Sequence, residues 1–196
     1  MGAPHLTPKL ANPAKSSMTV YQWRRRTYGR HGKMAGNMAN FAIRAARPGD
    51  EGLVLALLRE LAEYEKLLDR FHINEEIVRR DYLGERPLLH CDLAFEDEEP
   101  VGCATWYWTY HSFAARRGIY LEDLFVRPQT RGKGYGKAIL AHLAKTAVDA
   151  GGAQVEWEVL PWNTPSIEFY ELIGAKKLTD WFVYNLSGEA LQKMGS

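Results

Sequence analysis

The sequence predicts an α/β fold with a mixed β-sheet, antiparallel in its first half and parallel around one central strand. Two observations carry this prediction. The apolar runs Leu88–Phe95 and Val101–Tyr110 have the length of strands and are joined by a short acidic turn, which is typical of a hairpin. The run Tyr120–Val126 is followed by a glycine-rich turn, a helical pattern and a further strand, which is typical of a βαβ crossover.

The first elements follow from apolar spacing and capping residues. Phe41–Ala45 is predicted to be a short strand, and Asn74 is predicted to cap a second helix. The first helix is capped by Asp50 and ends near Glu63-Tyr64-Glu65. Its apolar face holds four leucines at helical spacing, Leu53, Leu57, Leu58 and Leu61.

The last elements are two strands around a short helix. Gln154–Leu160 and Trp181–Leu186 are predicted to be strands, the second closing the sheet. Thr164 is predicted to cap the helix between them, because Pro165 suits the first helical position and Gly174 suits the position past the last turn.

Length and composition predict one globular domain. The chain has 196 residues, of which 46% are hydrophobic, enough for an ample core. We expect this domain to span residues 38–196. Residues 1–37 are predicted to be a basic, disordered extension, added upstream by cloning or by a mis-assigned start. A transit peptide and a basic arm for nucleic acid are alternative interpretations of the extension.

The charge is unevenly distributed. Residues 1–40 hold seven Lys or Arg and no Asp or Glu, so the remainder has 18 basic and 24 acidic residues, a net charge of −6. An acidic domain suits cationic substrates better than nucleic acid. Cys91 and Cys103 lie in apolar runs without metal-ligand spacing, which predicts buried, reduced thiols. No run has the length of a membrane span.

The glycine-rich turn after Tyr120–Val126 predicts an anion site. Glycines let the backbone turn sharply and approach a ligand closely. The helix that begins near Gly136 adds N–H groups and a positive dipole end, and Arg131, Lys133 and Lys137 add formal charge. A pyrophosphate is the simplest ligand for such a site.

Three phosphate-binding patterns compete for this turn. A P-loop requires Ser or Thr after Gly-Lys, but Ala138 stands there. A dinucleotide fingerprint requires G-x-G-x-x-G near the start of a βαβ unit, whereas the spacing here is G-x-G-x-G. The pattern [QR]-x-x-G-x-[GA] is matched by Arg131, Gly134 and Gly136. A basic helix start without any ligand is the purely structural alternative.

The third pattern resembles the acetyl-CoA motif of the GNAT (GCN5-related N-acetyltransferase) superfamily. Y-L-E-D-L-F-V-R-P from Tyr120 and W-N-T-P-S-I-E-F-Y from Trp162 resemble its diamine/polyamine branch, which includes the spermidine/spermine and thialysine acetyltransferases. The resemblance covers the chain from Met38 onward. It implies a GNAT-type mixed, mostly antiparallel sheet flanked by helices, with a parallel, splayed strand pair at the acetyl-CoA site.

The resemblance implies acetyl-CoA as cosubstrate and no metal. Backbone groups of Leu124, Phe125 and Val126 would hydrogen-bond the pantetheine arm, in the manner of an added strand. Asn163 and Ser166 would contact the cofactor near its thiol end. The pyrophosphate would lie on the loop formed by Arg131, Gly132, Lys133, Gly134, Tyr135, Gly136 and Lys137.

The resemblance also implies two catalytic groups and an amine site. Glu122 would take a proton from the substrate ammonium, directly or through water, and Tyr170 would protonate the departing thiolate. Such groups are needed because an amine of pKa about 10 is mostly charged at neutral pH and attacks a thioester only when neutral. A free strand N–H near Leu124, as in the bulged fourth strand of the family that the chain resembles, is the candidate oxyanion donor. The amine site would be lined by Tyr64, Glu65, Glu122 and Asp123.

Each of these residues has a purely structural alternative. Tyr170 has helical spacing to Ile167 and Ile173 and could be a core residue. Glu122 could pair with Arg116 or Arg117. Tyr64 and Glu65 could be surface residues of the first helix.

One departure from the branch bears on the substrate. The polyamine enzymes carry an acid in T-Y-D, where this chain has Thr109-Tyr110-His111. We therefore expect a small amine with one or two charges, thialysine-like or a short diamine, over spermine. An acetyltransferase for peptides, proteins or antibiotics and a non-catalytic acyl-CoA-binding regulatory domain are the alternatives. We expect a cytoplasmic homodimer that binds neither nucleic acid nor membrane.

Overall fold

The computed structural model describes residues 21–22 and 40–196, so the predicted extension over residues 1–37 lies outside the described residues apart from one two-residue strand. The strands are β1 (Tyr21–Gln22), β2 (Phe41–Ala45), β3 (His90–Glu96), β4 (Glu99–His111), β5 (Arg116–Val126) and β6 (Gln154–Glu156). The helices are α1 (Glu51–Glu65), α2 (Glu75–Ile77), α3 (Tyr135–Asp149), α4 (Thr164–Leu172) and α5 (Gly188–Met194). None of these helices combines the length and the apolar composition needed to cross a membrane.

The described strands form one six-stranded sheet in the order β1-β2-β3-β4-β5-β6. All neighbours from β1 to β5 are antiparallel. β5 and β6 are parallel, with Gly118 opposite Gln154 and Tyr120 opposite Glu156. Parallel neighbours need a long crossover connection, and α3 supplies it. The predicted mixed sheet is confirmed.

The hydrophobic core packs α1 against one face of the sheet. Val54, Leu57, Leu58 and Leu61 form a single apolar stripe on α1, and each is at most 7% exposed. They join residues of the sheet, Leu93, Cys103 and Phe125, in one buried cluster. The residue of β3 that precedes Leu93, Asp92, instead contacts His142 of α3. Because neighbouring strand residues face opposite ways, α1 and α3 cover opposite faces of the sheet.

The two cysteines are buried as free thiols, which confirms the prediction made for them. Burial raises the pKa of the Cys91 thiol and that of the Cys103 thiol. Both sulfurs therefore stay protonated and act as small apolar groups in the core.

The predicted starts of α1 and α2 are present, but the two capping side chains bind different groups. The Asn74 side chain accepts a hydrogen bond from Ile77 N–H at 2.9 Å, as a capping residue should. Asp50 also holds the capping position of α1, but its carboxylate binds elsewhere. It accepts from the Arg44 guanidinium at 2.6 and 2.9 Å and from Arg47 N–H at 2.8 Å. Asp50 thereby fixes the connection between β2 and α1.

The chain divides into two compact units, the first ending at Trp157 and the second spanning Glu158–Ser196. The second unit, taken by itself, holds α4 and α5. The prediction that Thr164 caps α4 was wrong by one residue, since the cap is Asn163. The reason is that Asn163 C=O already accepts hydrogen bonds from Ser166 and Ile167 N–H, both at 3.1 Å. Gly174 lies just past the helix with φ of +91°, as predicted.

Two strand predictions are corrected. β6 ends at Glu156, short of the predicted Leu160. The predicted strand Trp181–Leu186 forms no strand pairing among the described residues. Its aromatic and β-branched side chains favour a strand, but a strand also needs a neighbour to pair its backbone groups. Trp181, Phe182, Val183 and Tyr184 are each at least 80% exposed.

Candidate active site

β5 has one edge that β6 covers only in part. β6 pairs with Gly118–Tyr120 and then ends, whereas β5 continues to Val126. Leu124, Phe125 and Val126 pair with β4 on the other side, opposite Ala104, Cys103 and Gly102. The edge of β5 beyond Tyr120 therefore lies outside the β5–β6 ladder, as in a splayed strand pair. An extended ligand can add to such an edge.

A β-bulge interrupts β5 at Glu122. Thr105 of β4 stands opposite Asp123 and Trp106 stands opposite Leu121, so Glu122 is an extra residue between the two pairs. Side chains that follow each other in a regular strand point to opposite faces, but a bulge redirects one of them. Glu122 and Asp123, although adjacent in the sequence, consequently line the same cleft.

This cleft, called the acceptor cleft below, has a volume of about 530 Å³. The two carboxylates of Glu122 and Asp123 lie in it together with the phenols of Tyr82 and Tyr107. Apolar side chains complete the wall, namely Ile73, Leu88 and Leu89. Two acids, two phenols and an apolar wall suit a small cation with a short aliphatic chain.

Burial raises the pKa of the Asp123 carboxyl, although a hydrogen bond from the Thr105 hydroxyl acts in the opposite direction. In the last turn of α1, burial also raises the pKa of Glu65, and the charge of Asp123 raises it further. Glu65 is thus electrostatically coupled to Asp123, as a shared amine site requires. A cation in the cleft would relieve the repulsion between these carboxylates.

Tyr64 lies against the glycine-rich loop. The guanidinium carbon of Arg131 is 4.3 Å from the centre of the Tyr64 ring, which is a cation–π contact. Arg131 Nε also donates to Val126 C=O at 2.9 Å. Of the four residues predicted for the amine site, Glu122 and Asp123 line the acceptor cleft and Glu65 is coupled to Asp123, whereas Tyr64 contacts the predicted phosphate loop.

The glycine-rich loop leads into α3 through backbone that favours glycine. Gly132 and Gly134 have φ of +78° and +88°, and Gly134 is the residue before the first helical turn. The first hydrogen bond within the helix runs from Ala138 N–H to Gly134 C=O at 3.0 Å. The N–H groups of Gly136 and Lys137 therefore have no acceptor inside the helix and suit an anion.

Two side chains anchor the loop. Lys133 Nζ binds both carboxylate oxygens of Glu96 at 2.8 Å, and the Tyr135 ring stacks on Phe41 at 4.3 Å. The Lys133 ammonium, with the Tyr135 hydroxyl, lowers the pKa of Glu96. These contacts hold the loop on β2 and β3, so ligand contacts there would come mainly from the backbone. Loop and β5 edge together fit a phosphate group followed by an extended arm.

In the second unit, one face of α4 carries the three residues predicted there. Asn163, Ser166 and Tyr170 are spaced at i, i+3 and i+7, which places them on one side of the helix. Asn163 is 7% exposed, and Ser166 and Tyr170 are half-buried. The three residues therefore lie on the same side of α4, as their predicted common role requires.

The cleft also holds residues that no sequence motif marks as functional. Tyr107 lies in the run Val101–Tyr110, which was predicted only to be a strand. Tyr82 ends a π-helical turn, Val78–Tyr82, and no pattern in the sequence marks such a turn. No group of His, Cys, Asp and Glu within the described part of the chain is arranged to hold a metal ion.

Comparison with known proteins agrees with these features. Residues 54–175 match the family model described as the acetyltransferase (GNAT) family. The chain is 40% identical to a thialysine N-epsilon-acetyltransferase of Bos taurus, covering 80% of this chain and 98% of that one. It is 44% identical to an L-ornithine N5-acetyltransferase of Arabidopsis thaliana, covering 76% of this chain and 86% of that one.

The fold is shared with solved structures of low identity. One is an aminoglycoside N-acetyltransferase in complex with CoA, with a TM-score of 0.58 and 20% identity over 78% of this chain and 98% of that one. The family match covers more than half of the chain, and two relatives exceed 30% identity over most of it. The chain therefore belongs to the GNAT acetyltransferase family, where it is similar to the thialysine acetyltransferases, and is an N-acetyltransferase.

Proposed function

We propose that this enzyme transfers the acetyl group of acetyl-CoA to a primary amine of a thialysine-like amino acid or a short diamine, by direct attack in a ternary complex. The bulge in β5 carries the proposal. It directs the side chains of both Glu122 and Asp123 into the acceptor cleft. The edge of the same strand can pair with an extended cofactor arm. The relatives named for thialysine and for L-ornithine support an amino acid with a terminal amine.

Different residues bind the two substrates and transfer the protons. Asp123 and Glu65 attract the substrate cation, and Glu122 accepts its proton. The glycine-rich loop binds the pyrophosphate through backbone N–H groups, and the edge of β5 binds the pantetheine arm. When bound, acetyl-CoA supplies an activated thioester. Tyr170 gives a proton to the departing thiolate, and Asn163 and Ser166 position the thiol end of the cofactor.

The function is tested by release of free thiol from acetyl-CoA across thialysine, lysine, ornithine, putrescine, spermidine and spermine. We expect turnover of thialysine, ornithine or putrescine at a kcat/KM above that of spermine. Turnover confined to peptides or aminoglycosides would overturn the proposal, and so would binding of acetyl-CoA without turnover of any amine. The relatives do not favour those alternatives.

Replacing Gly134 by Ala should raise the KM for acetyl-CoA. A Cβ meets no other atom within 4 Å at this position, but φ of +88° costs an L-residue about 1–2 kcal/mol. The first turn of α3 should rotate to relieve this strain and displace the N–H groups that bind the pyrophosphate. We expect an increase of about tenfold, the equivalent of 1.4 kcal/mol, with the KM for the amine unchanged.

Gly151→Ala is the matched control for this variant. Gly151 follows the other end of α3, has φ of +71° and is equally open around the Cβ position. Both variants should lower Tm to a similar extent, but only Gly134→Ala should weaken acetyl-CoA binding. Equal KM values for acetyl-CoA in the two variants would show that the start of α3 does not bind acetyl-CoA.

Replacing Asp123 by Asn should weaken amine binding and remove a pH-dependent penalty on folding. Loss of one charge from the cleft should raise the KM for the amine by about tenfold or more. Burial raises the pKa of Asp123 in the folded state above its value in the unfolded state. The folded wild type therefore loses stability as pH rises from the unfolded-state pKa to the folded-state pKa, and loses none at lower pH. The stability of the wild type relative to Asp123→Asn should thus fall as pH rises through this window.

The measurements are the KM for the amine and Tm as a function of pH. Asp149→Asn serves as the control, because Asp149 pairs with Lys145 on the exposed surface of α3. It should change neither quantity. An Asp123→Asn enzyme with the wild-type KM would exclude this carboxylate from the amine site.

We further propose that the enzyme is a homodimer. The exposed segment Trp181–Tyr184 supports this, since a standard interface buries about 800 Å² per partner and each aromatic side chain can bury about 150–250 Å². The mass of the purified chain in solution tests it. The cytoplasmic location remains a prediction from the sequence.

A further inference from the structure

The face of the sheet that forms the acceptor cleft continues past the cleft to β6. Side chains of residues that stand side by side in neighbouring strands point to the same face. Tyr107 of β4 lines the cleft and stands opposite Tyr120 of β5, with the two ring centres 5.3 Å apart. Tyr120 in turn stands opposite Glu156 of β6. Glu156 therefore lies on the cleft face, one strand beyond Tyr120.

Glu156 is close enough to Glu122 for one short diamine to span the two carboxylates. Glu122 follows Tyr120 by two residues and lines the cleft. Neighbouring strands lie about 4.8 Å apart and a strand rises about 3.3 Å per residue, which places the Cα atoms of Glu122 and Glu156 roughly 8 Å apart. The two ammonium groups of an extended four-carbon diamine are about 6 Å apart. The Glu156 side chain is 31% exposed, so a ligand can reach it.

A histidine of β4 holds the Glu156 carboxylate. His111 Nε2 lies 3.4 Å from Glu156 Oε2, and Gln154 Nε2 lies 3.5 Å from His111 Nδ1. Because an amide N–H only donates, Nδ1 is the acceptor in this contact, and the ring proton belongs on Nε2, on the side of Glu156. Nε2 is buried and has no hydrogen-bond partner in the described part of the chain. Attraction to the Glu156 carboxylate therefore orients the ring.

The contact between His111 and β6 crosses β5 at a glycine. Gly118 stands opposite Thr109 of β4 and opposite Gln154 of β6. A Cβ at Gly118 would lie 2.7 Å from His111 Nε2 and 2.8 Å from Thr109 Oγ1. A larger residue would thus push the imidazole away from β6. Gly118 allows a side chain of β4 to reach a carboxylate two strands away.

We propose that Glu156 binds the second ammonium group of the acceptor amine and that His111 is the residue that positions Glu156. The inference rests on the function proposed above and adds a specificity-determining residue to it. When one amino group reacts beside Glu122, the second ammonium of a short diamine lies beside Glu156. The α-ammonium group of ornithine takes the same place, because four carbons also separate its two nitrogens. A monoamine has no group for Glu156, so the enzyme prefers amines with two cationic groups.

The test compares putrescine with butylamine, which has the same carbon chain but a single amino group. In Glu156→Gln, kcat/KM for putrescine relative to butylamine should fall about five- to tenfold, between the contribution of a surface ion pair and that of a charged hydrogen bond. Glutamine keeps the size of the side chain, and a purely structural role would lower both rates alike. Glu98→Gln, in the turn between β3 and β4, is the control and should keep the wild-type ratio. An unchanged ratio in Glu156→Gln would overturn the proposal.

The role of His111 is tested by the same ratio. His111→Asn removes the contact with Glu156 and should lower the ratio, but it should lower it no further in the Glu156→Gln background. His142→Asn is the matched control, since His142 Nε2 also lies 3.4 Å from a carboxylate, that of Asp92, on the opposite face of the sheet. It should leave the ratio unchanged. An additional fall in the double variant would show that His111 acts on the amine independently of Glu156.

Dissociation constants of putrescine and butylamine, measured by calorimetry, separate this inference from the proposed function. An enzyme that binds putrescine but acetylates no amine would overturn the proposed function, and the ratio of the two dissociation constants would then decide the role of Glu156. A loss of the preference for putrescine in Glu156→Gln supports the role, and an unchanged preference contradicts it. If putrescine neither binds nor reacts, both proposals are wrong.

Discussion

Tyr170→Phe is expected to lower kcat by tens- to thousands-fold while the dissociation constant of acetyl-CoA changes little. The phenol is proposed to protonate the departing thiolate, and loss of a general acid typically costs about 10²–10⁴-fold in rate. The ring itself remains, so the packing against Phe169, with ring centres 5.4 Å apart, should persist. The effect should therefore fall on the chemical step and spare cofactor binding.

The experiment pairs steady-state kcat with a calorimetric titration of acetyl-CoA. Tyr110→Phe is the matched control, since Tyr110 is 65% exposed and lies outside the proposed site and interface. It should behave as the wild type in both measurements. A thioester whose leaving thiol has a lower pKa than CoA needs less protonation by a general acid. With such a substrate, the kcat of Tyr170→Phe should be closer to that of the wild type. Full activity of Tyr170→Phe on acetyl-CoA would remove the phenol from the mechanism.

The parts of the site that depend on neighbouring residues in the chain could be predicted from the sequence. Gly132 and Gly134 adopt the positive φ that glycine favours, and α3 starts within one residue of the predicted Gly136. The predicted helix α4 is present, although its cap is Asn163 and not Thr164. Local backbone preference and helix capping decide these features, and both are encoded over a few residues.

The parts that depend on pairing between distant segments could not be predicted. The bulge at Glu122 exists because Thr105 and Trp106 pair with Asp123 and Leu121. A bulge in this strand was expected only from the resemblance to the family, and no residue near Glu122 marks the position of the extra residue. The contact between Tyr64 and Arg131 likewise joins a helix end to a loop far along the chain. Both features arise from tertiary register, which a single sequence does not encode locally.

The wrong strand prediction has the same physical cause, because a strand also depends on a distant pairing partner. Trp181–Leu186 has the composition of a strand, yet the described chain offers it no ladder. β-propensity describes a side chain that fits a half-buried pleated surface and does not itself create that surface. Composition was sufficient for β3, β4 and β5 because the hairpins supply each strand with its neighbour.

Glu122→Gln is expected to change how the rate depends on pH, with the largest loss at neutral pH. At pH 7 an amine of pKa about 10.4 is neutral in roughly one molecule in 2,500. The wild type can bind the abundant ammonium and take its proton, so kcat/KM should be level between the pKa of a carboxyl group and that of the amine. The Glu122→Gln variant has no carboxylate to take the proton, so it can react only with the small fraction of the amine that is already neutral.

The logarithm of kcat/KM for Glu122→Gln should therefore rise with a slope near one up to the pKa of the amine. The deficit at pH 7 should be about 10²-fold or more, within the reach of general base catalysis, and should shrink about tenfold for each pH unit above it. Glu98→Gln is the control. Glu98 lies in the exposed turn between β3 and β4, about 20 Å along β4 from Thr105 at the rise of an extended strand.

The shape of the profile separates a base from a purely electrostatic group. If Glu122 only attracted the cation, Glu122→Gln would raise the KM for the amine by a similar factor across this pH range and leave the profile level. The bulge favours the first outcome, because it places two carboxylates in one cleft where Asp123 already attracts the cation. A level profile for Glu122→Gln would assign both carboxylates to binding and require another route for the proton, such as water.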